Sequence, residues 1–532
     1  MKSKVIAGIM VTMFLVTVVF SGIPVRAAVQ EIYVGVVGPK GMVQWFSQIG
    51  GAEIALPKAN LLLTGNYHIN LVEIDEHAYP TVDPAAAAQA MGAALASGPH
   101  PDGSYGLDFI VGGFRTECVY GMIYYATDPY YAAYHDKAPT YKQPVWYISG
   151  AATDALMNPV TRPYLFRVTP INTTFLVSSL VSILAMHLLP YELKAIYGAP
   201  VKTYTVIESL TWCDAMPKKF RDLLNYTSGT YPYCDFVGGA RPAWDETDFS
   251  TILTDIKNKG AHLVIHIFSA LGGVPFTKQF GESQVPAILI GINVESQPST
   301  FYETIGGKCE NEAFLATVGT RTPVSKAWGS DDTTEFWDAF VALKGRPPIY
   351  TAFGCHDGLM GFAEFLKYNA TSWPMNYTDF IPILEQTERR GLTGTFRFDS
   401  SHDAFSVDTG PTWSSPYRVR ALVTQWQAGN LEVTWPRDKE FSRKYQIPSW
   451  MYDHADTDWY GANAGMTIGP DGLVDILDLD KAAEKWQKAP YPYVEADMDG
   501  NNFINILDIS TVAIDNGYNA SLPGNYGQWP LP

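Results

Sequence analysis

Five oxygen-bearing side chains near the end of the sequence carry its sharpest chemical pattern. Asp497, Asp499, Asn501, Asn505 and Asp508 stand at positions 1, 3, 5, 9 and 12 of a twelve-residue loop. Oxygens at alternate positions, closed by a carboxylate at position 12, suit a hard cation such as Ca²⁺. Thirty residues earlier, Asp471, Asp475 and Asp478 fall at positions 5, 9 and 12 of a second loop. Thr467 and Gly469 there replace the acids expected at positions 1 and 3. One such loop could be an acidic turn ordered without metal; two in tandem point to Ca²⁺.

A second pattern lies earlier. Thr116 and Thr153 each follow an apolar run and sit in turns of small residues. Backbone N–H groups in such turns can face an anion. Either threonine alone reads as ordinary turn capping. Arg115 and Glu117 flank Thr116. Signatures of covalent or metal-assisted hydrolysis are missing: there is no Gly-x-Ser-x-Gly and no His-Glu-x-x-His. Cys355-His356-Asp357 reads as the start of a helix and not as a nucleophile pair. The expectation is a protein that is not an enzyme.

The elements that must position these residues are legible as short apolar runs. They are Ile32–Val37, Ile69–Ile74, Phe109–Val111, Val145–Ile148, Tyr204–Ile207, Leu263–Phe268 and Ala287–Ile290. Rich in Val and Ile, they read as buried parallel strands. Helical stretches separate them. Phe249, Ile252, Leu253 and Ile256 follow helical spacing, with Thr247 or Asp248 placed to cap and Gly260 to stop the helix. Strand and helix in alternation imply α/β architecture with doubly wound parallel sheets. Ligands of such sheets bind at the carboxyl ends of the strands.

With 532 residues and 47% hydrophobic composition, the chain can fill several cores. Thirty-seven basic against fifty-four acidic residues leave a net charge of −17, which excludes nucleic-acid and polybasic membrane contacts. Lys2 and Lys4 precede an apolar run from Val5 to Phe20, and small residues follow around Ala27, as in a secretory signal over residues 1–27. The stretch Val5 to Val25 is also long enough to stay as an uncut anchor. Either reading places the chain outside the cytoplasm: secreted, periplasmic or on the cell surface. The five cysteines, Cys118, Cys213, Cys234, Cys309 and Cys355, show no metal-ligand spacing; export permits disulfides, but the spacing fixes no pairing.

The doubled calcium loops, with Asp-x-Asp-x-Asn followed by Ile-Asn-Ile-Leu-Asp, resemble a dockerin, a small α-helical EF-hand-like domain, over residues 456–520. That resemblance implies a cohesin-like partner and surface tethering. Asn502 stands where such loops usually carry Gly. Residues 441–455 read as a linker and 521–532 as a tail.

The body resembles another family. Glu31–Gly38, Phe109–Gly113, Tyr147–Thr153, Tyr164–Thr169, Asp248–Lys257 with Leu263–His266, and Gly394–Asp399 occur in the order of the branched-chain amino acid (Leu/Ile/Val) binding proteins. These have the type I periplasmic binding fold. The resemblance implies two hinged lobes over residues 28–440. Lobe 1 would comprise about 28–169 and 297–372, and lobe 2 about 170–296 and 373–440. It implies a small-molecule ligand, an ABC permease as partner, and no cofactor in the body. Carried onto this sequence, the ligand site comprises Thr116, Ala151 and Thr153 for a carboxylate, and Trp45 and Trp212 as aromatic cover. Asn293 stands where a carboxylate usually meets the ligand ammonium, with Glu295 two residues on. If Glu295 or Glu117 takes that role, the ligand is an amino acid; otherwise an amide, a short peptide or an organic anion held by Arg115 fits as well. A ligand sensor, a surface scaffold held by the dockerin-like tail, and a secreted hydrolase stay open as alternatives.

Overall fold

In the computed structural model the described residues are 29–101, 106–127, 144–193, 200–316, 332–370, 377–404, 422–435 and 442–452, with scattered positions beside them and the pairs 473–474 and 518–519. The first sheet contains β1 (Gln30–Gly38), β2 (Tyr67–Asp75), β3 (Phe109–Gly112), β4 (Val145–Ile148) and β5 (Leu165–Arg167). Its order is β2-β1-β3-β4-β5 and every pairing is parallel. The second holds β6 (Val201–Ile207), β7 (Cys234–Ala240), β8 (Leu263–Phe268), β9 (Ile288–Asn293) and β10 (Ala313–Ala316). A hairpin β11 (Arg389–Gly391) and β12 (Gly394–Phe396) stands apart, and β13 (Leu422–Gln427) with β14 (Asn430–Trp435) completes the second sheet. Its order is β14-β13-β10-β9-β8-β6-β7, with β13 and β14 antiparallel. The seven apolar runs are thus strands β1, β2, β3, β4, β6, β8 and β9. β3, β4, β8 and β9 are buried along their whole length, as strands covered by helices on both faces must be.

Each sheet anchors its own core. Ile32, Val34, Phe109, Trp146, Phe166 and Phe362 belong to the first, Val201, Ile265, Ile290 and Leu315 to the second. The chain passes between the lobes three times, first at residues 168–172. The later crossings differ from the sequence expectation. β10 extends the second sheet beyond residue 297. Trp373, Phe380, Leu384, Phe398 and Ala404 bury themselves in the first core, so residues 373–404 belong to lobe 1. The family resemblance implies those boundaries, and the apolar faces of this chain decide otherwise.

The expected linker also changes character. Tyr445 and Met451 are buried in the second core. Gln425 and Gln427 donate to the carbonyls of Gln446 and Lys444, each at 2.7 Å, and Trp450 donates to Val285 O at 2.9 Å. Residues 442–452 are therefore part of lobe 2. The expected helix runs over Ser250–Asn258, with Asp248 accepting from Ser250 N and Gly260 at φ +61° just beyond its end. All five cysteines are buried free thiols. One helical stretch, Thr173–Pro190, is apolar and long enough to cross a membrane, but 72% of it is buried in the body. The N-terminal apolar run and all eight calcium-loop residues lie outside the described residues. Within the tail, Leu473–Val474 pairs antiparallel with Tyr518–Asn519.

Candidate functional site

The first lobe builds its rim from the chain just after β2, β3 and β4. Gly112 and Gly113, at the end of β3, take φ of +98° and +94°, where a side chain is strained. A Cβ on Gly112 would also stand 2.2 Å from Val37 O. This turn aims the N–H groups of Phe114 and Arg115 at Glu76, which accepts them at 2.7 and 2.8 Å. Glu76 is fully buried. Burial pushes its carboxyl up to about 7, against the pull of those two N–H groups and of Arg115.

The loop after β4 meets this turn closely, since a Cβ on Gly150 would stand 2.5 Å from Gly113 O. Thr153 Oγ1 donates to Thr116 Oγ1 at 3.2 Å. Arg167 fastens the loop from behind. Its Nε donates to Ala151 O at 2.9 Å and its Nη2 to Thr153 O at 2.7 Å. Its Nη1 pairs with Asp403 at 2.5 Å, and Asn172 donates to the other Asp403 oxygen at 3.1 Å. Burial raises the Asp403 carboxyl, opposed by Arg167.

The second lobe contributes the residues after β6 and β8. Glu208 Oε1 accepts from Trp212 Nε1 at 2.8 Å, from Ser269 N at 2.9 Å and from Ser269 Oγ at 2.5 Å. Burial raises the Glu208 carboxyl, while Arg115 and these donors pull the other way. Hydrogen bonds cross between the lobes, Lys219 Nζ to Asp154 at 3.4 Å among them, and three lie close to this rim. Arg115 Nη1 donates to Ser269 Oγ at 2.9 Å, Thr211 N to Glu117 at 2.9 Å, and Gln44 Nε2 to Glu295 at 3.2 Å.

Between the lobes lies a cavity, partly open to solvent. Phe114, Ile171, Leu176, Ile292, Val294 and Leu315 give it apolar walls, and Trp212 and Tyr350 add rings. Arg115, Thr116, Ser269 and Gln297 are its polar members. A concave, mostly apolar space with a few convergent polar groups is the general form of a small-molecule site.

No protein-family model and no curated protein matches the chain. Solved structures do. A benzoate complex of an ABC transporter solute binding protein from R. palustris shares 14% identity at a TM-score of 0.57, covering 76% of this chain and 95% of its own. The branched-chain amino acid transporter substrate binding protein from Streptococcus pneumoniae, in complex with isoleucine, shares 16% identity at a TM-score of 0.56, covering 76% and 98%. A leucine-, isoleucine-, valine-, threonine- and alanine-binding protein from Brucella ovis, in a closed conformation, shares 16% at 0.55, covering 75% and 90%. The body has the type I periplasmic binding fold.

Within this type I fold the expected ligand residues separate. Thr116 and Trp212 line the cavity, and so does Arg115. Thr153 touches it only through Thr116. Ala151 is buried with its carbonyl on Arg167, while its neighbours Gly150 and Ala152 form the wall. Trp45 packs against the first core and does not line the cavity. Glu295 stands at the lobe junction, bonded to Gln44, outside the lining. Asn293 is displaced furthest from its expected role. Successive strand residues point to opposite faces. Ile292 and Val294 face the cavity, so Asn293 faces the interior, where it donates to Glu312 at 2.9 Å and Thr277 at 3.1 Å. Glu312 also accepts from Ser296 and lies 3.0 Å from His266 Nε2.

Sequence reasoning missed Glu76, Glu208, Ser269, Gln297 and Tyr350. Three of these, Glu76, Glu208 and Ser269, are the first residues beyond β2, β6 and β8. The carboxyl-end rule for parallel sheets, applied to each strand, would have found them. Cys355 sits 3.5 Å from Ser149 Oγ, and burial pushes its thiol up to about 12. That is the reverse of an activated thiolate. Among the described residues no group of three His, Cys, Asp or Glu side chains could hold a metal ion.

Proposed function

We propose that this protein is an extracytoplasmic, non-catalytic solute-binding protein that closes its two lobes on a small organic molecule and presents the closed clamp to an ABC-type importer. The observation that carries this reading is the cavity between the lobes. Its polar groups arrive from both sides, on loops at the carboxyl ends of strands, and hydrogen bonds join the lobes around it. A ligand held there stabilises the closed state over the open one, which gives a membrane partner two states to distinguish. Fold relatives named for ABC transport, in complexes with isoleucine and with benzoate, support the same reading. The apolar N-terminal run supports export.

Thermal melting of the mature protein against amino acids, organic acids, amides, sugars and short peptides tests it. A ligand bound only by the folded state raises the midpoint by mass action. A rise with one chemical class supports the clamp; no rise with any class removes it. The tail is proposed, on its two acidic loops alone, to bind Ca²⁺ and a cohesin-like partner. A chelator then lowers the melting of the tail and leaves the body's transition in place. A body that melts earlier in chelator refutes that separation.

A further inference from the structure

We propose that the solute is an organic monocarboxylate with an apolar body and no ammonium group, its carboxylate seated on Arg115 and Thr116. This deepens the solute-binding reading and rests on it. Arg115 is 1% exposed and lines the cavity. Of its three guanidinium nitrogens only Nη1 has a hydrogen-bond partner; Nε and Nη2 have none. A buried guanidinium presents two parallel donors that match a carboxylate, and an unmatched one is costly. Next to it, Thr116 Oγ1 accepts from Thr153, which leaves the Thr116 hydroxyl proton to donate in turn. The rings of Phe114 and Trp244, at 5.3 and 5.8 Å from the guanidinium carbon, hold its orientation.

The charge balance around the cavity favours the same ligand. An amino acid would bring a cation that needs a carboxylate in the wall. None of the cavity-lining residues is acidic. Asn293 points away into the Glu312 network, and Glu295 is bonded to Gln44 outside the lining. Glu208 lies behind Ser269 and Trp212, which both line the cavity and both donate to it. The cation that faces Glu208 across the lobe junction is the chain's own, since Arg115 reaches Ser269 Oγ and its field acts on Glu208. The walls of Ile292, Val294, Leu315 and Leu176 take the apolar body.

The test is isothermal titration of the full mature chain with benzoate, phenylacetate and 3-methylbutanoate. Their uncharged amides and the amino acids leucine, isoleucine and phenylalanine are titrated alongside. At least one carboxylate should bind ten-fold or more tighter than its own amide and than every amino acid. Arg115→Met should weaken that carboxylate about 10- to 100-fold, the size of a lost charge-assisted pair, and weaken the amide by less, so that the carboxylate–amide ratio falls. If Arg115→Met does not fold, the carboxylate–amide ratio on the unaltered protein decides alone. Amino acids binding tightest, or amides binding as well as acids, overturns the ligand class and leaves the solute-binding reading standing. Silence with all of these and in the wider melting panel overturns the solute-binding reading itself.

Discussion

Arg115 and Arg167 are buried to almost the same degree, 1% and 0% exposed, and each stands just behind the rim of the cleft. Their surroundings differ completely. Every nitrogen of Arg167 has a partner: two loop carbonyls and the Asp403 carboxylate. Arg115 lines the cavity with one neutral partner, in the other lobe, and two buried nitrogens without a partner. Burial does not separate a structural charge from a ligand-seeking one; saturation of its donors does. The carboxylates behind the two loops differ in the same way. Asp403 answers a guanidinium, whereas Glu76 answers only backbone N–H groups in a dry site.

The largest effect that sharpens this contrast is on stability. Arg167→Met leaves Asp403 buried and unpaired, and should cost about 3–5 kcal/mol in chemical denaturation. Arg115→Met loses one hydrogen bond to a neutral hydroxyl but also removes two unmatched buried nitrogens, and should cost about 1 kcal/mol or less without ligand. Equal costs would erase the distinction. Next comes Glu76. Its carboxyl titrates near 7 in the folded protein against an ordinary value of 4.5. The folded state therefore holds its proton where the unfolded state has released it. Stability is full below about pH 4.5 and falls as pH rises through 7, by on the order of 3 kcal/mol. Glu76→Gln should flatten that part of the pH profile; an unchanged slope would mean that Glu76 is charged throughout.

Smaller effects separate the interior of lobe 2 from its rim. Asn293→Ala removes a donor from the Glu312 network and should cost about 2 kcal/mol of stability with solute affinity unchanged. A large affinity loss would return Asn293 to the ligand site. Smallest is Thr153→Ala, which acts only through the Thr116 hydroxyl. It should weaken solute binding a few-fold, the size of about 1 kcal/mol, without shifting the melting point.

The two sheets were legible where strands are short runs of Val, Ile and Phe buried on both faces. β4 and β8 match the expected runs residue for residue, and β9 starts one residue later and ends three residues later. β13 and β14 escaped notice for a physical reason. β13 is buried along its whole length yet contains Thr424, Gln425 and Gln427, so no apolar pattern marks it. Its glutamines are satisfied by carbonyls of residues 311, 444 and 446, which only the folded chain supplies. Ala428-Gly429, both at positive φ, was the one local sign of that hairpin. The site was half legible. Residue type and strand ends pointed to Thr116, and the family resemblance pointed to Trp212. Which face a strand-end residue presents depends on the pleat, and this is where Asn293 misled. Whether an arginine is saturated depends on residues 236 positions away, as with Arg167 and Asp403, and sequence spacing does not encode it.

The return of residues 442–452 to the second core gives the body a mechanical polarity. The chain enters through β1 of one lobe and leaves past Tyr452 from the other. In the proposed closure, rotation of one lobe against the other would move the entry and exit points of the body relative to each other. A dye at each point would read opening as a change in their separation, with no need to see the ligand. An attachment through the tail would hold one arm still while the other swings.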